Sequence, residues 1–270
     1  MDSVGTILRG WREQRRLSQL QLAVQADVST RHLSFVETGR SRPSRDLLLH
    51  LADELDVPLR DRNRMLLAAG YAPAYSEAPI DSPALEGVRD ALRQLLAGHE
   101  PYPAVVVDAA WRLVDGNSGI ALLTAGVAPE LLEPPANVLR ISLHPDGMAP
   151  RIVNLAEWRG HLLARLRRQL AVSADQELSQ LYDELAAYPG GESTVDPRAG
   201  GVVAPMRIRQ DGGELSFFGM VATFGTPLNV TVSELAIEAF YPADPATAAY
   251  LHQARHSAPT AAAAPPAGRG

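Results

Sequence analysis

Residues 17 to 44 read "LSQLQLAVQADVSTRHLSFVETGRSRPS", and the spacing of small polar residues here restricts the backbone more than any other feature of the chain. Ser18 and Gln21 form an S-x-x-Q capping box, in which each side chain satisfies the other's otherwise free backbone N–H. A helix is therefore predicted from Ser18 to Gln25 or Ala26. "ADVS" makes the turn, Ser29 caps a second helix that runs to about Thr38, and Gly39 supplies its stop. Leu22, Ala23, Val28, Leu33 and Val36 share an inward side with Leu47, Leu51 and Leu55 of a following helix, which Pro43 and Ser44 introduce. Gln19, Thr30, Arg31, His32, Ser34 and Phe35 are left pointing outward.

With "LSQLQLA", then "VS", then E-x-G-x-x-x-P in register, residues 5 to 69 resemble the helix-turn-helix of the lambdoid phage repressors and the xenobiotic-response-element-like regulators. That resemblance implies an all-α DNA-binding domain whose second helix lies in the major groove of double-stranded DNA. The implied DNA-facing set is Gln19, Ser29, Thr30, Arg31, His32, Ser34, Phe35, Arg40 and Arg42. Gln19 would hold a phosphate, Thr30, Arg31 and Ser34 would meet base edges, and Arg40 and Arg42 would meet phosphates. Phe35 would touch a thymine methyl or cover the domain's own surface. Arg12 and Glu37 match a structural pair that ties the first helix to the recognition helix. One such domain reads only a few base pairs, so a homodimer is expected.

The rest of the chain is organised differently. At 270 residues, 46% of them hydrophobic, it suits two folded domains. Residues 1 to 70 carry 11 arginines against 9 acidic residues, or +2, which leaves −8 of the net −6 for the remainder. This asymmetry suits a nucleic-acid-facing N-terminus on an acidic body. There are no cysteines, no apolar run reaches the roughly 18 residues needed to span a bilayer, and no signal-like segment opens the chain, so a cytoplasmic location is expected. Residues 1–69 form the expected DNA-binding domain, and 70–83, with Pro73, Pro79 and Pro83, a linker. Residues 84–98 form a connecting helix with Leu85, Val88, Leu92, Leu95 and Leu96 at helical spacing. Residues 99–252 form a second domain and 253–270 a disordered tail.

In the second domain the residues predict strands at 103–108, 111–117, 201–210, 213–225 and 234–242, with amphipathic helices at 155–171 and 174–188. Two strands, a helical stretch and three strands resemble an α+β PAS-like sensor. With W-x-L-V-x-x-N from Trp111, N-V-L-R from Asn137 and "HP" at His144, residues 85 to 250 resemble the MmyB-like family of actinobacterial regulators. The resemblance implies a one-component transcription regulator whose sensor holds a small apolar molecule, such as a fatty-acid-like compound, and no catalytic cofactor. Candidate ligand contacts are Trp111, Asn117, Arg140, His144, Trp158, Phe218, Met220 and Phe240. Arg140 and His144, four apart, would hold a carboxylate from one helical face, unless Arg140 pairs with an acidic residue and His144 merely ends a helix. The chain has no H-E-x-x-H, G-x-S-x-G or phosphate-binding glycine loop, so neither catalysis nor a metal site is expected. The competing non-enzymatic reading is an antitoxin-like repressor whose second domain binds a protein.

Overall fold

Serine hydroxyls set the first four helix starts. Ser3, Ser18, Ser29 and Ser44 precede α1 (Val4–Gln14), α2 (Gln19–Gln25), α3 (Thr30–Glu37) and α4 (Arg45–Glu54), and each accepts a hydrogen bond from a backbone N–H of the first turn. The capping box is complete, with Gln21 N to Ser18 Oγ at 3.2 Å and Ser18 N to Gln21 Oε1 at 2.8 Å. α3 ends in a Schellman arrangement. Gly39, at φ 73°, donates to Val36 O, and Arg40 N reaches back to Phe35 O at 2.8 Å. α5 (Leu59–Ala68) follows Pro58 and completes the helical domain.

The structure is a computed structural model that describes residues 3–171, 175–191 and 205–257. Among them are two compact units, which are not contiguous in sequence. One falls within Met1–Leu92, Leu166–Gln180 and Thr223–Ala236, the other within Arg93–Arg165, Leu181–Ala222 and Ile237–Gly270. The first unit thus takes in two segments from the region expected to form the sensor alone. Its core contains Leu22, Ala23, Leu33, Val36, Leu51 and Leu55 as expected, while Val28 and Leu47 pack partly buried against it. Leu8, Trp11, Leu48, Met65 and Leu66 add to it from α1, α4 and α5. Gly5 lets α1 approach the end of α3, because a Cβ there would stand 2.5 Å from the carbonyl oxygens of both Val36 and Glu37.

The expected linker ends at a 3-10 turn, Pro83–Leu85, which leads into α6 (Glu86–His99), within which the division between the units falls. On this helix Leu92 and Leu96 are buried, but Leu95 is 55% exposed, so the apolar stripe is narrower than its spacing implied.

The second unit is built on strands β1 (Ala104–Val107), β2 (Leu113–Gly116), β3 (Met206–Gln210), β4 (Gly213–Thr223) and β5 (Ala236–Pro242), in the order β2-β1-β5-β4-β3. β1 pairs antiparallel with β2, and β3 with β4. Between β2 and β3 come α7 (Ile120–Thr124), α8 (Pro129–Leu132), α9 (Val138–Leu143), α10 (Leu155–Leu170) and α11 (Gln176–Ala187). The short α12 (Val230–Ser233) joins β4 to β5, and α13 (Pro245–Ser257) follows β5. The fold class is that expected, an all-α helix-turn-helix region followed by an α+β sensor domain. Helix α13, capped at its start by Asp244 through Thr247 N at 2.7 Å, reaches five residues into the stretch expected as a tail. Residues 201–204 of the third expected strand, and the tail from 258 onward, lie outside the described residues. Among the described residues no helix is long and apolar enough to cross a membrane.

The packing at α1 gives a paired test. Gly5→Ala forces a methyl group into two carbonyl oxygens and should destabilise the domain by about 1–3 kcal/mol. Gly10→Ala, with open space around it on the same helix, should stabilise it by roughly 0.5–1 kcal/mol. Urea denaturation of both variants measures the difference.

Candidate nucleic-acid interface and ligand domain

The recognition helix is fastened by one buried charge pair. Arg12 Nε donates to Glu37 Oε1 at 2.7 Å and its Nη2 to Glu37 Oε2 at 2.9 Å, while Nη1 bonds Leu17 O at 2.8 Å. The side chains are only 9% and 1% exposed, so the pair is bidentate and dry. The hydrogen bond to Glu37 holds the Arg12 guanidinium above its ordinary pKa. Gln19 joins the same carboxylate, its Nε2 donating to Glu37 Oε2 at 2.8 Å. That leaves its second amide N–H for an outside acceptor, so the expected phosphate contact is itself anchored to the ion pair.

Along α3 the expected outward residues are accessible to different degrees. Arg31 is exposed, while Thr30, His32, Ser34 and Phe35 are half-buried. Arg31 lies over the Phe35 ring, 5.3 Å from its centroid, which gives the aromatic a local role beside any thymine contact. Ser29 is engaged as the α3 cap, its hydroxyl accepting from His32 N at 3.1 Å. Arg40 is exposed just beyond the helix. Arg42 is exposed too, but it is already engaged: its Nε and Nη2 both donate to Ala69 O, at 3.1 and 2.7 Å, and it stacks over Tyr71 at 5.1 Å, so it ties the end of α5 to the loop after α3.

The eight expected ligand contacts of the sensor do not converge. Side chains alternate across a strand. Phe218 stacks on Tyr241 at 5.6 Å, which puts Phe218 and Met220 on the face of the sheet where Tyr241 meets His99. Phe240 and Glu238 take the opposite face, where Glu238 meets Arg165 of α10 at 2.5 and 2.9 Å. Trp111 belongs with this second group, because the Arg165 guanidinium lies 4.4 Å from its ring centroid. It is not on a strand as expected. It sits at φ 65° in the β1–β2 turn, where Asp108 Oδ1 accepts from the backbone N–H groups of Ala110 and Arg112. Trp158, two turns before Arg165 on α10, is buried and donates through Nε1 to Ser142 Oγ at 3.0 Å.

Three polar candidates prove structural. The buried Asn117 amide donates to Leu96 O and Tyr102 O and accepts from Ala104 N, which pins α6 and the following loop to β1. Arg140 makes a bidentate pair with Glu184, and His144 ends α9, accepting at Nδ1 from Asp146 N at 3.0 Å and meeting Tyr188 edge-on. Arg140 and His144 thus follow the second alternative read from the sequence: the carboxylate beside them is the protein's own Glu184, and His144 ends the helix. Burial and the short hydrogen bond to Glu184 push the Tyr188 hydroxyl up to about 12. A cleft of about 700 Å³ beside the β3–β4 turn is lined by Arg151, Val153 and residues 209–214, and includes none of the eight. The polar pair of the α10-facing side, Arg165 and Glu238, was missed. The available signal was an acidic residue inside an apolar strand run and an arginine seven residues after Trp158.

Two measurements follow. Arg12→Ala strands the Glu37 carboxylate in a dry site and should cost about 3–5 kcal/mol, read by chemical denaturation. The hydrogen bond from Arg140 holds Glu184 below the ordinary carboxyl value of 4.5, so its stabilisation is present above that pH and is lost as pH falls through the lower folded value. Glu184→Gln should therefore melt below the wild type at neutral pH, with the gap closing as the pH falls below 4.5.

No curated protein matches the chain. A solved structure named "Structure of an RNA-binding Light-Oxygen-Voltage Receptor" aligns at 15% identity over 95% of this chain, with a TM-score of 0.25, and this chain spans 64% of that chain's length. Residues 8–61 match the helix-turn-helix family model. Residues 88–254, more than half of the chain, match the MmyB-like transcription regulator ligand binding domain. With a recognition helix locked to its domain and a five-stranded α+β sensor behind it, the chain belongs to the MmyB-like transcription regulators, DNA-binding proteins with a ligand-binding domain.

Proposed function

We propose that the protein binds a two-fold DNA site as a homodimer in the cytoplasm, with Thr30, Arg31 and Ser34 reading base edges, and that the α10-facing side of the sensor sheet takes a small apolar ligand. The observation that carries the first half is α3 itself: an exposed arginine and small hydroxyl side chains on a helix whose inner face is fixed by the Arg12–Glu37 pair. Arg31 has the reach for O6 and N7 of a guanine, and Gln19 and Arg40 flank it as phosphate contacts. For the sensor, Trp111, Trp158 and Phe240 supply apolar wall, and Arg165 with Glu238 supplies a polar pair for orientation. Asn117, Arg140 and His144 are left out of this site, since their polar atoms serve the fold.

The test is selection of duplexes from a randomised pool, followed by titration of the enriched sequence. Arg31→Ala should relax preference at one position of each half-site and cost about 1–3 kcal/mol against the selected sequence. Arg40→Ala should weaken all duplexes alike and reduce the slope of log affinity against log salt by about 1. Half-sites should lie about 10 base pairs apart, or a multiple of that. Equal, sequence-independent losses in both variants would sink the base-reading role of Arg31.

A further inference from the structure

We propose that the connection between β4 and β5 is a clamp that carries the state of the sensor sheet to the DNA-binding domain. The proposal rests on the regulator reading above and supplies its route of regulation.

Residues 224–235 join two neighbouring strands of the sensor sheet, yet 223–236 pack as part of the DNA-binding unit. The attachment is specific. Ser76 and Asn229 form a parallel bridge, in which Val230 N donates to Ser76 O at 2.8 Å and Asn229 Nδ2 to Ser76 Oγ at 3.1 Å. Thr231 Oγ1 donates to Ala78 O at 2.7 Å. Val230, Val232 and Leu235 are 0%, 7% and 2% exposed, so the segment is seated by apolar burial as well as by polar bonds. Arg60 of α5 holds both segments together, with Nε and Nη2 on Glu234 at 2.6 and 2.9 Å and Nη1 on Glu77 at 2.7 Å.

The receiving segment is equally fixed. Buried Asn63 of α5 accepts from Ala74 N and Tyr75 N and donates to Tyr75 O at 2.8 Å. From α5 the path continues to the loop after the recognition helix through Arg42, which holds Ala69 O. At the sensor end, Glu234 lies four residues before Glu238, the β5 carboxylate that pairs with Arg165. Because both ends of the clamp continue as strands of one sheet, a shift of β5 against β4 must either move the clamp with α5 or break its bonds. This is a contiguous element of the kind that can bias two arrangements, and its effect cannot exceed the ligand's differential affinity for them.

The chain has no cysteine, so Ser76→Cys with Asn229→Cys creates one reversible lock in the full-length protein. A second variant, Thr231→Val with Glu234→Gln, loosens the clamp while keeping the apolar seat. Amide exchange is followed by mass spectrometry, and affinity is measured for a duplex that the wild type selects from a randomised pool. Oxidation should slow exchange about tenfold in α5, β4 and β5 alike, reduction should reverse it, and the loosened variant should shift all three the other way. The two redox forms should differ in duplex affinity by about fivefold or more. Changes confined to 74–78 and 229–235, with β4 and β5 exchanging as in the wild type, overturn the clamp. So does equal affinity in both redox forms. A wild type that selects no duplex would defeat the DNA-binding reading instead, and the exchange comparison would still decide the clamp.

Discussion

The outward side of α3 depends on a carboxylate that never reaches it. Glu37 stands at the end of the recognition helix with its side chain 1% exposed, and it takes two bonds from Arg12 and one from Gln19. A charge so placed is tolerable only when fully paired, so the orientation of α1, the start of α2 and the end of α3 become mutually conditional. Gly5 belongs to the same constraint, since its missing side chain lets α1 lie directly on the carbonyls of Val36 and Glu37. Rigidity behind α3 is what allows a helix of eight residues to present Thr30, Arg31 and Ser34 in a fixed register.

The sensor is arranged around the centre of its sheet. β5 lies between β1 and β4 and sends Glu238 and Phe240 to one side and Tyr241 to the other. The two sides differ in chemistry. The α10-facing side holds a partly buried ion pair whose arginine lies over the Trp111 ring, and the other side an edge-to-face group of His99, Tyr102 and Tyr241. Burial lowers the pKa of His99 in that group. Continuity of β4 and β5 with the segment seated on α5 gives the sheet a covalent reach into the DNA-binding unit.

The helix-turn-helix was legible because its information is local. Ser18, Gln21, Ser29 and Gly39 act on backbone groups within a few residues, and the structure places caps and stop at those positions. The sensor's strands were legible as β-rich runs, with β1, β2, β4 and β5 shorter than their apolar boundaries suggested. The ligand candidates fared worse. Aromatic residues on strands were grouped by type, but a strand's two faces separate Phe218 and Met220 from Phe240, and only strand pairing tells which face is which. Asn117, Arg140 and Arg42 looked available because their partners, at Leu96, Glu184 and Ala69, are distant in sequence.

By itself, then, the sequence determined where α2 and α3 start and stop and where α4 starts, which side of α3 faces outward, and that an α+β domain follows. Each of these rests on hydrogen bonds within one turn or on the period of apolar residues. Only the tertiary structure decided which polar side chains are spent on the fold, which of the candidate aromatics share a face, and that residues 223–236 pack with the DNA-binding unit. Those outcomes depend on pairings such as Arg165 with Glu238 and Ser76 with Asn229, formed across long stretches of chain, and no local propensity or periodicity encodes them.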